Sequence, residues 1–221
     1  MLRWVRPPRQ ARSQETLERL LDAAEQLVAE KGFADATIAE LVRRAGSSVG
    51  AFYARFRDKD GLLYALYERY LEQAVATADA ALDPGRWEGA PIPEILRAVV
   101  PFLVAVHRER QGLIRAFVLR NHVDPEFRAR QERLSHHVNA SLSRLLLARA
   151  GEIRHPDPAR AAAFGLAMVV SSIENVVLFG ELRSRVLTLS DDELAAELSR
   201  AFLAYLGVTA RSARTPEPTE P

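Results

Sequence analysis

Between Thr37 and Phe56 the chain has room for two helices and almost nothing between them. Thr37, Ile38, Ala39 and Glu40 have the spacing of a capping box, in which the threonine hydroxyl serves first-turn amides and the glutamate reaches back. Ile38, Leu41, Val42 and Ala45 then recur at helical spacing, and the pattern stops at Gly46. Ser47 and Ser48 complete a short turn, after which Phe52 and Phe56, four residues apart, give a third helix of about two turns its inner side. Two helices joined so tightly through a glycine are the arithmetic of a helix-turn-helix unit. The rest of the chain must support that pair.

Helical periodicity continues on both sides. Leu17, Leu20, Leu21, Ala24, Leu27 and Val28 form one apolar stripe, with Gly32 where a C-terminal cap falls. Asp58 can cap a long fourth helix, about residues 58–82, carrying Leu62, Leu63, Leu66, Tyr67, Tyr70 and Leu71. Pro84, Gly85, Gly89, Pro91 and Pro93 mark residues 83–93 as a linker. Ile95, Leu96, Val99, Val100, Leu103 and Val106 describe a further helix that Pro101 is expected to kink. Shorter punctuation follows at Asp124-Pro125, Gly151, Asp157-Pro158 and the capping box Ser190–Glu193, ending at Gly207. No segment alternates with period two, so the expected fold is all-α, with about nine helices. The expected order is an N-terminal three-helix helix-turn-helix domain (13–60), a C-terminal helical bundle (61–208) and a disordered tail (209–221) rich in Pro, Thr and Glu.

A chain of 221 residues that is 48% hydrophobic can bury a substantial core. It has no cysteine, which excludes disulfides, thiolate zinc sites and a cysteine nucleophile and is compatible with a reducing cytoplasm. The opening residues lack the continuous apolar stretch of a signal peptide, and Glu174 and Asn175 interrupt the most apolar later stretch. The expectation is a cytoplasmic protein without membrane contact. Arg3, Arg6, Arg9 and Arg12 precede the first acidic residue, Glu15, so residues 1–12 form a basic arm. Its two readings are a solvated leader and a phosphate or minor-groove contact. The five histidines are scattered, Glu132 with His136 gives a single i, i+4 pair, and neither a phosphate-cradling glycine loop nor a nucleophile motif occurs. No metal, cofactor or enzymatic activity is expected.

The contiguous run Thr37-Ile38-Ala39-Glu40-Leu41-Val42-Arg43-Arg44-Ala45-Gly46-Ser47-Ser48-Val49-Gly50-Ala51-Phe52-Tyr53-Ala54-Arg55-Phe56 leads into Asp58-Lys59-Asp60-Gly61-Leu62-Leu63. Together with Ala23-Ala24-Glu25-Gln26-Leu27 and Glu30-Lys31-Gly32-Phe33 upstream, it resembles the DNA-binding signature of the TetR family of transcriptional regulators over residues 13–71. The resemblance implies a third helix docked in the major groove and DNA contacts from Thr37, Ser47, Ser48, Val49, Gly50, Ala51, Tyr53, Arg55 and Lys59. Thr37 and Lys59 occupy positions where the family grips phosphates, and Tyr53 and Arg55 have groups suited to the same task. Gly50 lets its helix approach either the duplex or the second helix closely. Relatives often carry a basic or polar residue at the position of Val49 and Thr or Ser at that of Ala51. The side chains present here instead suit thymine methyl groups or recognition of DNA shape.

For the second half the resemblance implies a homodimer through the last two helices, reading a palindromic double-stranded operator, and release by a small, largely apolar effector. Ala161, Ala162, Ala163, Gly165 and Ala167 would permit close helix approach at that interface. Candidate effector contacts are Phe102, Val106, Phe117, Arg120, Asn121, Phe127, Met168, Ser172, Glu174 and Asn175, with core packing the competing reading for each apolar member. The function expected is a ligand-responsive repressor; the alternative is a DNA-binding protein with an architectural or cell-division role and no effector.

Overall fold

Proline, glycine and short polar caps divide the chain into helices, and the packing follows from where their apolar faces fall. The computed structural model describes residues 11–179 and 188–208, with side chains from Gln14 onward. Among these lie α1 (Ala11–Asp35), α2 (Ile38–Arg44), α3 (Val49–Tyr53), α4 (Lys59–Ala81), α5 (Ile92–Glu109), α6 (Gln111–Val123), α7 (Pro125–Leu147), α8 (Pro158–Phe179) and α9 (Asp191–Leu206), with no strand. The basic arm expected over 1–12 is already helical at residue 11; its first ten residues and the tail 209–221 lie outside the described residues.

The caps have the geometry their residue types imply. Thr37 and Ser190 each accept from the amide three residues on, and Glu40 and Glu193 reach back to the cap amides, completing two capping boxes. Asp58 and Asp124 accept first-turn amides of α4 and α7. Gly32, at φ 81°, bends α1 before its last turn, and Gly207, at φ 69°, ends α9 in the left-handed region that glycine tolerates.

Three expectations need correction. The third helix spans Val49–Tyr53, shorter than two turns, because α3 is held by its aromatic face and stops before Arg55. Residues 83–93 are not an open linker: Pro84–Trp87 forms a 3-10 turn, Trp87 is buried, and Pro93 sits in the first turn of α5, where its missing amide costs no helical bond. Arg149 fastens this turn by donating to the carbonyls of Trp87 and Ala90. α5 itself runs unbroken through Pro101, which is exposed.

Two hydrophobic cores result. The first joins Leu20, Leu27, Leu41, Phe52, Phe56, Leu62 and Leu66 of α1 to α4 with Leu113, Phe117 and Phe127 of α6 and α7. Tyr67 stacks on Phe127 with centroids 4.3 Å apart, and Phe117 packs against Tyr67 at 4.7 Å. The second core belongs to α5, the later turns of α7, α8 and α9, with Ile92, Leu96, Leu142, Leu146, Val169 and Phe202 among its buried members. Gly165 lets α9 lie against α8: a Cβ there would fall 1.9 Å from Cε2 of Phe202. The small residues of α8 therefore serve first this intramolecular crossing, where Ala161 and Ala162 are also buried, while Ala167 is exposed.

α8 is long and apolar enough to cross a membrane by length and composition alone. Its buried face packs in the second core, and Glu174 and Asn175 interrupt its apolar run.

Candidate nucleic-acid interface and effector cleft

α3 is placed by two rings. Phe52 and Phe56 are fully buried, 5.1 Å apart by centroid, and fix the inner side of the turn-helix segment. Gly46, at φ 56°, makes the preceding turn, and the Ser48 hydroxyl accepts from the Ala51 amide at 3.1 Å to start the helix. What remains outside is short and well braced. Val49 is 48% exposed and Tyr53 51%, and the Tyr53 ring stands edge-on to Phe52 at 5.2 Å. Ser48 and Gly50 are also exposed, whereas Ser47, Ala51 and Arg55 are half-buried, so the outward set is narrower than expected. A Cβ at Gly50 would meet nothing nearer than Ser48 Oγ at 3.8 Å. Of the two roles expected for that glycine, close packing within the protein therefore does not apply.

Thr37 and Lys59 both have protein partners. The Thr37 hydroxyl donates to Glu40 Oε2 at 2.7 Å within the capping box. The same carboxylate takes Lys31 Nζ at 2.6 Å, and these bonds, the Lys31 one first, hold the Glu40 carboxyl down to about 2. Arg44 makes a two-pronged pair with Glu30, at 2.6 and 2.8 Å, that ties α2 to α1. Lys59 donates to the Ala34 carbonyl at 2.8 Å and lies 4.7 Å from the centre of the Phe33 ring. Burial lowers its pKa. Its ammonium thus pins the α1–α2 corner to the start of α4, and two of its three protons remain for another partner.

The candidate effector contacts do not converge on one place. Phe117 and Phe127 belong to the first core, buried among the tyrosines of α4. Phe102 is 40% exposed and Asn175 lies at the surface; Val106 is half-buried. Met168 packs against the second core, and the Ser172 hydroxyl donates back to the Met168 carbonyl at 2.8 Å. Arg120 is committed to Asp60 at 2.9 Å and Asp124 at 3.1 Å. Asn121 and Glu174 differ from these. Asn121 Oδ1 is buried without a hydrogen-bond partner, and Glu174, whose pKa burial raises, has no ion pair among the described residues.

Asn121 opens onto a cleft of about 530 Å³ between the end of α6 and one side of α7. Its lining also includes His122, Arg128, Gln131, Glu132, Ser135, His136 and Asn139, none of which was among the expected effector contacts. The signal was present in the sequence: Arg128, Gln131, Glu132, Ser135, His136 and Asn139 make an unbroken polar stripe at helical spacing. Such a stripe on an amphipathic helix ordinarily reads as its solvent side.

A short, exposed reading helix on a small helical head, backed by an all-helical module with a cleft, defines a helix-turn-helix DNA-binding protein with a second regulatory-type module. The family model described as "Bacterial regulatory proteins, tetR family" matches residues 20–66, and "Tetracyclin repressor-like, C-terminal domain" matches residues 91–206. The chain belongs to the TetR family of transcriptional regulators, which are DNA-binding transcription factors and not enzymes. Among curated relatives, the HTH-type transcriptional regulator BetI of Stenotrophomonas maltophilia is 46% identical over 72 residues, 30% of this chain and 37% of that protein. YerO of Bacillus subtilis, an HTH-type transcriptional regulator, is 42% identical over 57 residues, 26% of this chain and 20% of its own length. These matches thus span 20% to 37% of the relatives' lengths. A TetR-family regulator from Mesorhizobium loti has the same fold, with TM-score 0.67 and 22% identity over 88% of this chain and 98% of that one. The fatty acid degradation regulator FadR of Bacillus halodurans gives TM-score 0.61 at 18% identity, covering 87% and 95% of the two chains.

Proposed function

We propose that the protein is a cytoplasmic, ligand-responsive repressor that binds a palindromic operator as a homodimer and releases it when an effector occupies the C-terminal module. α3 enters the major groove, with Ser48, Val49, Gly50 and Tyr53 nearest the bases and backbone; Ser47, Ala51 and Arg55 flank them. Thr37 and the spare protons of Lys59 meet phosphates. The observation that carries this reading is Gly50, exposed on α3 with no protein neighbour that excludes a side chain. A glycine costs helix stability, and here only an approaching duplex gives that cost a return.

The dimer face proposed is the outer side of α8 with α9. Phe164 and Phe179, 55% and 53% exposed, share one stripe with exposed Ala167, Ser171 and Asn175. Two large apolar side chains left in water on one face support burial against a second copy. The division of labour proposed is reading by residues 13–60, connection through α4, and sensing and dimerisation by residues 61–208.

The test is to map the DNA bound by the protein in its own genome and then measure affinity for the recovered site by fluorescence anisotropy. A regulator gives a few promoter sites with two-fold symmetry; an architectural protein gives many dispersed ones. Gly50→Ala should leave the melting temperature unchanged or higher yet weaken operator binding at least tenfold. Tyr53→Ala should weaken binding to all sequences and lower the salt dependence of log Kd by about one phosphate's worth. Unchanged affinity in both variants rules out the docking described.

A further inference from the structure

The α6–α7 cleft carries an unmet demand for hydrogen-bond donors. Tyr67 donates its proton to Gln131 Oε1 at 2.9 Å. Beside this pair, Asn121 Oδ1 is buried with no hydrogen-bond partner. A buried acceptor of this kind is costly in the free protein and rare in native structures. Asn121 lines the cleft, so a molecule seated there can supply what the protein does not.

The lining holds one arginine and one glutamate, and their placement bears on which donor the cleft takes. Arg128, a cation on its rim, turns back on α6, donating from Nε to the Asn121 carbonyl at 3.3 Å and from Nη2 to the His122 carbonyl at 3.1 Å. It answers the exposed carbonyls at that helix end, the place where a cation suits the helix dipole. Glu132 remains on the rim as a carboxylate without an ion pair among the described residues. Half-buried Glu174 on α8 interacts electrostatically with His122 and also lies near enough to Tyr70 to disfavour its ionisation. The rest of the lining is amide, hydroxyl and imidazole, able to hydrogen-bond but ill suited to an apolar surface.

We propose that this cleft is the effector site and that its effector is a small protonated amine, whose N–H groups satisfy Asn121 Oδ1 and whose charge is held by Glu174 and Glu132. The inference rests on the regulator reading and replaces the largely apolar effector expected from the sequence. The site also has a route to the reading head. Asn121 and His122 directly precede the α6–α7 corner, where Asp124 receives the Tyr64 hydroxyl at 2.6 Å and Arg120 holds Asp60 in the first turn of α4. A ligand that pulls on Asn121 therefore acts one residue from the contacts that seat α4.

The experiment uses the full chain with spermidine and 1,4-diaminobutane as probes, against 1,4-butanediol and succinate as neutral and anionic controls. Binding is followed by calorimetry and melting temperature, and operator release by anisotropy in the same samples. The amines should bind saturably, raise the melting temperature and release DNA, while the controls do none of these. Asn121→Leu, which removes the orphan oxygen at similar volume, should raise the ligand-free melting temperature yet weaken amine binding at least tenfold. Glu174→Gln should fold normally and lose the preference for amine over diol. Equal binding of diol or succinate, no binding by either amine, or unchanged amine affinity in Asn121→Leu overturns the assignment. Ligand-free wild type that fails to bind its operator sinks the regulator reading and this inference with it; intact DNA binding that ignores the amines sinks the inference alone.

Discussion

Asp124 shows how much one side chain can hold. It caps α7 through the amides of Glu126 and Phe127, accepts from the Tyr64 hydroxyl of α4 and pairs with Arg120 of α6. Burial alone would raise its pKa, but the bonds from Tyr64, the Phe127 amide and Arg120 outweigh this and leave it lowered. Asp124→Ala should therefore cost about 1–3 kcal/mol at neutral pH, the range for losing a cap and leaving polar partners unmet. The sign with pH follows from the lowered value: the carboxylate's stabilisation is present above the unfolded-state pKa near 3.8 and is lost as pH falls below it. Urea titrations of wild type and variant at pH 7 and pH 3 should show the gap narrowing in acid; a constant gap would mean the charge plays no part. The cap itself was legible in the Asp-Pro pair. Its reach to Tyr64, sixty residues away in sequence, was not, because tertiary partners leave no periodic trace.

At the scale of elements, the local punctuation read well and the placing of side chains read less well. Caps at Thr37, Asp58, Asp124 and Ser190 and the stop at Gly207 all describe chemistry confined to a few consecutive residues, which is why they were visible. Phe117 and Phe127 fit an effector pocket and a core equally well by sequence, because periodicity reports that a residue faces inward but not which interior it enters. The polar side of α7 is silent in sequence for the converse reason, since a stripe facing a cleft and one facing water have the same period. The crossing of α6 on α1 belongs to this class of hidden feature. A Cβ on Gly112 would fall 2.6 Å from the Val28 carbonyl oxygen, so the two helices touch backbone to backbone. Gly112→Ala should force them apart at a cost of about 1–3 kcal/mol, as for overpacked cores. It should also change operator affinity even though residue 112 is not among the proposed DNA contacts. Melting curves and anisotropy on the same preparation check both; a destabilised variant with wild-type affinity would argue that the crossing supports the fold without linking the modules.

For the whole molecule, the unmatched apolar side of α8 is the feature that reaches beyond one chain. Phe164→Glu places a charge on the proposed two-fold face, leaving the Gly165–Phe202 crossing in place and giving up one ring contact, with Tyr205 at 5.2 Å. The expected result is a monomer by analytical ultracentrifugation, with helical content retained and affinity for a two-half-site operator reduced at least a hundredfold. Dimers that persist at micromolar concentration would move the interface elsewhere. Both halves of such an assembly would share another property, set by Leu113, Phe117 and Phe127. These three side chains come from the middle of the chain, yet they complete the hydrophobic interior beneath α1 to α4. The amino-terminal head is consequently not a detachable bead: a gene cut after α4 would encode a head whose floor is missing, and during synthesis that head cannot finish folding until α7 has left the ribosome.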